Sequence, residues 1–96
     1  MKMLLIFVDA DHAPDVAALL ETSGVMGWSE IPQVLGKGST GRKMGTRAFP
    51  GSSTLFFAAV PVEEAVRLTA EVRRLMEQRG PEEGIRVYAL DTVEVL

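Results

Sequence analysis

Lys2-Met3-Leu4-Leu5-Ile6-Phe7-Val8 and Ser53-Thr54-Leu55-Phe56-Phe57-Ala58-Ala59-Val60 decide the fold of this chain, because each is apolar at odd and even positions alike. Runs of that length read as strands, and a strand apolar on both faces belongs at the centre of a sheet. The first run stops at Asp9-Ala10-Asp11 and the second at Pro61. Outward from the first strand, Pro14 followed by Asp15 suits an opening helical turn, Val16, Leu19 and Leu20 supply a buried stripe, and Gly24 ends the helix. Met26 to Leu35 alternates only loosely, with Trp28, Glu30, Pro32 and Val34 on one side and Ser29, Ile31, Gln33 and Leu35 on the other. Pro32 cannot donate to a ladder, which predicts an edge strand or a bulged one.

Beyond the second central strand, Glu63 to Arg79 is the clearest helix. Ala65, Leu68, Val72, Leu75 and Met76 form one stripe, Glu63–Arg67 and Arg73–Glu77 are supporting pairs, and Gly80-Pro81 ends the element. Ile85 to Leu90 reads as a strand, and Asp91 to Leu96 as a short C-terminal extension strand. The order is β-α-β-β-α-β with the two doubly apolar strands first and third. That is an α+β pattern, a ferredoxin-like sandwich whose split βαβ units put those strands in the middle of the sheet. Residues 1–96 read as a single domain, with neither an internal repeat nor a linker.

Two helices cover one face of a four-stranded sheet. The other face exposes one alternate set from the central strands, either Leu4, Ile6 and Val8 beside Phe56, Ala58 and Val60 or their complements. At roughly 1.5 to 3 kcal/mol for each large apolar side chain buried, covering that face offers on the order of 10 kcal/mol. Association itself costs about 4 to 15 kcal/mol, so a closed ring of subunits is a better outcome than a single patch.

The composition, 47% apolar and 24% charged over 96 residues, is that of an ordinary globule. Cysteine is absent, which excludes thiol catalysis, disulfides and thiolate metal sites. The apolar start is too short for a signal peptide and no stretch approaches a membrane span, so the chain reads as cytoplasmic. The net charge of −3 hides an asymmetry: from Ile31 to Val62 the only charges are Lys37, Arg42, Lys43 and Arg47. That separation favours an anion at the basic stretch and argues against a broad nucleic-acid surface.

The basic stretch runs from Val34 to Ser52, Val-Leu-Gly-Lys-Gly-Ser-Thr-Gly-Arg-Lys-Met-Gly-Thr-Arg-Ala-Phe-Pro-Gly-Ser, with five glycines, a proline, four basic residues and no acid. It is expected to hold no regular element, and a loop of that length in a small domain is usually functional or disordered. Gly36-Lys37-Gly38-Ser39-Thr40-Gly41 spells G-x-G-x-x-G, but no helix follows, so it is not a dinucleotide fingerprint, and the spacing of a P-loop is missing. Lys37 and Arg42, flanked by glycine, lie where backbone and side chain can grip one anion together. For Lys43 and Arg47, solvated charges are an equal reading, and Phe49-Pro50-Gly51 reads as a turn with Phe49 tucked in. Asp9, Asp11 and His12 form the one cluster resembling a metal site; the commoner reading is a helix cap beside a surface imidazole, and no metal site is assigned. Trp28 and Tyr88 are expected to pack, with Trp28 also placed to line a cleft between subunits.

The strand order, a second strand ending Val34-Leu35-Gly36-Lys37-Gly38, the long basic loop and the return through Phe49-Pro50-Gly51 into an apolar third strand resemble the PII-like signalling proteins. Gly-Lys-Gly-Ser-Thr-Gly-Arg with the later Gly-Thr-Arg-Ala-Phe-Pro-Gly looks like a divergent bacterial branch rather than the nitrogen regulators themselves. The resemblance implies a homotrimer with its sheets inward and small effectors such as adenine nucleotides in clefts between neighbours. It also implies a loop that rearranges with the effector and docks on a target protein, a membrane transporter among the candidates. On this reading Gly36, Lys37, Gly38, Thr40 and Arg42 hold the effector, and Lys43, Met44, Arg47 and Phe49 meet the partner.

Departures from the family pattern narrow the ligand. Ser39 and Thr40 stand where an effector-linked glutamine is expected, which argues against magnesium and 2-oxoglutarate. The loop has no tyrosine to modify. The connection that carries a phosphate loop in the family is here Gly80-Pro81-Glu82-Glu83-Gly84, whose carboxylates repel a polyphosphate. Other classes stay open: a small ferredoxin-like enzyme, a metal-responsive module or an RNA-binding module. No catalytic residue is assigned, because no triad, paired carboxylate or nucleophile elbow is present, and the chain has no asparagine for acylphosphatase-like chemistry. The third strand has aromatics for RNA but no basic residue.

Overall fold

The computed structural model describes residues 1–38, 41–43, 52–79 and 84–96. Strand β1 (Lys2–Asp9) passes through a 3-10 turn (Ala10–His12) into helix α1 (Ala13–Thr22). Then come β2 (Ser29–Val34), the short β3 (Gly36–Gly38) and β4 (Gly41–Lys43), β5 (Ser53–Val60), α2 (Val62–Arg79) and β6 (Arg86–Asp91). The main sheet has the order β2-β5-β1-β6 and is antiparallel throughout. The two doubly apolar strands are therefore central, and the βαββαβ ferredoxin-like arrangement is the one their pattern requires.

Local chemistry fixes the helices. Proline sits in the first turn of α1; at the other end the Ser23 N–H donates to the Leu19 carbonyl at 3.0 Å and Ser23 Oγ to the Leu20 carbonyl at 2.8 Å. Gly24, at φ 86°, then turns the chain out of the helix. Helix α2 opens with Glu63 and Glu64 against its dipole, and the Ala65 N–H donates to the Pro61 carbonyl at 3.0 Å. Arg67 bridges Glu64 at 2.5 Å and Glu71 at 3.3 Å rather than pairing with Glu63 as the spacing predicted, because it sits within one turn of both and the two together hold both arms of its guanidinium.

Leu4, Ile6 and Val8 from β1 and Phe56, Ala58 and Val60 from β5 are buried under the helices, against Val16, Leu20, Leu68 and Val72. Leu19, Leu75 and Met76 pack at the margin of this core, and the Trp28 ring lies 5.8 Å from that of Phe56. The complementary set is the one left open. Leu5 is in register with Phe57 on one side and Tyr88 on the other, Phe7 with Leu55, and Met3 with Leu90. Ile31, Tyr88 and Leu90 are about half exposed, at 46%, 53% and 52%. Tyr88 packs edge-on against Phe7, ring centres 6.0 Å apart, and borders the open face instead of being buried.

Edge strand β2 carries the irregularity that Pro32 predicts: its register on β5 shifts between Ile31 and Val34, and Gln33 takes φ 60°. Two expectations are corrected. The basic stretch does hold a regular element at its base, a β3–β4 ladder pairing Gly36 with Lys43, Lys37 with Arg42 and Gly38 with Gly41. A ladder needs only backbone groups, and Gly38 and Gly41 flank the two-residue spacing of the commonest hairpins. The C-terminal extension, by contrast, forms no strand: β6 ends at Asp91 opposite Lys2, and its pairing closes with a Thr92 N–H to Met1 carbonyl bond of 3.2 Å. Val93, Val95 and Leu96 stay exposed. No helix among the described residues is long and apolar enough to cross a membrane.

Candidate functional site

The antiparallel order gathers four chain segments at one end of the sheet. Strand β1 finishes there at Asp9, β2 finishes at Val34, and β5 begins at Ser53, which is in register with both. Continuing the β1–β6 register past Phe7 and Arg86 brings Gly84 opposite Asp9. The β3–β4 hairpin springs from this same end, because only Leu35 separates it from Val34. The corner is tied by the Ala10 N–H, which donates to the Ser52 carbonyl at 3.0 Å.

Gly36, Lys37 and Gly38 lie on β3, and Arg42 and Lys43 on β4. Lys37 is exposed, and its register partner is Arg42. The ladder thus sets two residues of like charge at paired register positions. A Cβ added to Gly36 would meet nothing within 4 Å, so the packing of this chain does not itself demand a glycine there. Thr40, Met44, Arg47 and Phe49 fall outside the described residues, as do Glu82 and Glu83.

The Asp9–Asp11–His12 corner is not the cap it resembles. Neither Asp9 nor His12 makes a capping side-chain hydrogen bond to the turn or helix that follows, because the 3-10 turn from Ala10 to His12 continues directly into α1 and its backbone bonds take the place of a cap. His12 Nδ1 is buried without a hydrogen-bond partner among the described residues. The same residues contain no group of three or more histidine, cysteine, aspartate or glutamate side chains placed to hold a metal ion. What sequence reasoning missed is the approach of Gly84 to Asp9; the signal was there only jointly, in the register of two strands at opposite ends of the chain.

No protein-family model matches the chain, and no curated protein sequence does either. Solved structures do. CPII, a nitrogen regulatory PII-like protein from Thiomonas intermedia K12 bound to ADP, AMP and bicarbonate, superposes with a TM-score of 0.72 at 25% identity, over 92% of this chain and 86% of that one. The same protein bound to ADP and bicarbonate gives 0.70 at 27% identity, over 93% and 84%. A PII-like signalling protein from Thermus thermophilus gives 0.65 at 18% identity, over 93% and 83%, a likeness of fold alone. With the sheet order, the basic hairpin between its second and third strands and these likenesses in hand, the chain has the fold of the PII-like proteins.

Proposed function

We propose that this protein is a PII-like regulator, a homotrimer that holds a small anionic effector in clefts between subunits and acts on a partner protein through its 36–51 loop. The observation that carries the reading is the register pairing of Lys37 with Arg42 in a glycine-framed hairpin at the end of the sheet. The likeness to CPII bound to ADP, AMP and bicarbonate supports both the anionic character of the ligand and its size class. The open apolar face supports the assembly, since covering it in a closed ring is the outcome that offsets the cost of association.

The mechanism is a shift of population. An anion gripped by the Gly36 to Gly38 backbone, Lys37 and Arg42 stabilises one arrangement of the loop, in which Lys43, Met44, Arg47 and Phe49 fit or release the target. The shift is limited to what the anion gains in that arrangement over the others. The acids at Glu82 and Glu83 favour bicarbonate or a nucleotide with few phosphates over a triphosphate.

The test is calorimetry of AMP, ADP, ATP and bicarbonate with the parent chain and with Lys37→Ala/Arg42→Ala, alongside sedimentation of each. The double variant is expected to lose about 100-fold or more in affinity, the equivalent of two charge-assisted hydrogen bonds, with unchanged mass. Unchanged affinity in that variant sinks the site assignment, and a monomer at micromolar concentration sinks the trimer. Turnover of any of these ligands would favour the enzyme reading instead.

A further inference from the structure

The end of β1 is held between two connections that are far apart in sequence. On one side Asp9 is in register with Ser53, and the next residue's N–H binds the Ser52 carbonyl at 3.0 Å, where the basic loop returns to the sheet. On the other side the Asp9 carboxylate lies directly against the Gly84 backbone, where the α2–β6 connection arrives. A Cβ built on Gly84 would stand 2.6 Å from Asp9 Oδ2 and 2.7 Å from both Cγ and Oδ1. Gly84 also takes φ 68°, a left-handed conformation that a side chain would strain. Only glycine satisfies both conditions at once, and Ile85, the next residue, is anchored in the core at 2% exposure. A side chain added at Gly84 would therefore press on the Asp9 carboxylate, the neighbour it meets first.

We infer that Asp9 is a positioning residue, a rigid coupler that transmits displacement between the α2–β6 connection at Gly84 and the return of the basic loop at Ser52. The coupling belongs to the folded chain and needs no effector. If the proposed switch operates, it gives the loop a second place to report its state, at the far side of the same sheet end. Pushing on Gly84 must then be felt at Ser52 by way of Asp9 and the Ala10 N–H that follows it, and only while the Asp9 carboxylate is there to be pushed.

A double-mutant cycle tests this on the full chain without ligand, by amide NMR and hydrogen exchange. Gly84→Ala is expected to shift the Ser53 amide resonance and to raise exchange of the Ala10 amide, whose acceptor is the Ser52 carbonyl, by about tenfold. In an Asp9→Ala background the same Gly84→Ala change is expected to leave Ser53 and Ala10 where Asp9→Ala alone puts them. Equal responses in both backgrounds, or a response confined to residues 84–86, overturn the proposal. Should Gly84→Ala fail to fold, Asp9→Ala decides alone: it is expected to move the Gly84 amide and speed Ala10 exchange together. A change at one without the other overturns the coupler while leaving the effector reading untouched.

Discussion

The two faces of the central sheet are built from the same two strands, one residue out of step, and they end in opposite conditions. On the even-numbered face, Leu4, Ile6, Val8, Phe56 and Val60 are nearly inaccessible because two helices cover them. On the odd-numbered face, Leu5, Phe7, Leu55 and Phe57 are equally apolar but only partly buried, and Tyr88 and Leu90 beside them are half exposed. A sheet face that merely met water would alternate toward polar residues. This one does not, so its composition is that of a second core for which a single chain supplies only one wall.

Truncation on each face breaks the comparison in a different way. Phe56→Ala removes a fully buried ring from under the helices, and the expected loss is about 3 to 5 kcal/mol in urea unfolding. A loss no larger than that of a surface substitution would mean that the helical face is not the organising core. Leu5→Glu places a charge between Phe57 and Tyr88 on the open face. Its expected effect on the isolated fold is smaller, since Leu5 has less to lose there. In sedimentation it is expected to reduce the assembly to monomers with helical and strand content intact, at about 1.5 to 3 kcal/mol per subunit of lost burial. A variant of parental mass would assign the open face to some other contact.

The same contrast explains how much was legible beforehand. The centre of the sheet could be read because Met3 to Val8 and Leu55 to Val60 leave no polar position at which a strand could meet water. The bulge of β2 could be read because Pro32 lacks an N–H. Which of the two alternate sets the helices would cover could not, since both are apolar and periodicity is silent between equals. The β3–β4 ladder escaped because glycine composition speaks of side-chain propensity, whereas backbone groups made the pairing. In the candidate site, Lys37 and Arg42 stand out in the sequence by the glycines beside them, and the structure adds that they are register partners. The meeting of Asp9 with Gly84 was out of reach because it depends on the register between the first strand and the last.

The smallest expected effect lies where the covered face runs out. Ile6 pairs with the half-buried Val87 and Leu4 with Ala89, which is already exposed, and the next pair in that row is Lys2 with Asp91, joined by an ion pair of 2.5 Å. The hydrogen bond from Lys2, together with its charge, holds the Asp91 carboxyl below its ordinary value of 3.8. A carboxylate whose pKa is lower when folded stabilises the fold above its unfolded pKa and loses that contribution as the pH falls through the folded one. Asp91→Asn is therefore expected to lower the unfolding midpoint slightly above about pH 5, to converge with the parent in more acidic solution, and to lose even the small difference in about 1 M salt, because the pair is exposed and screened. Thermal melts across that pH and salt range measure it. A large, salt-resistant loss at neutral pH would mean that water does not reach this pair in the assembled protein. The boundary between the two faces would then itself be covered by another copy.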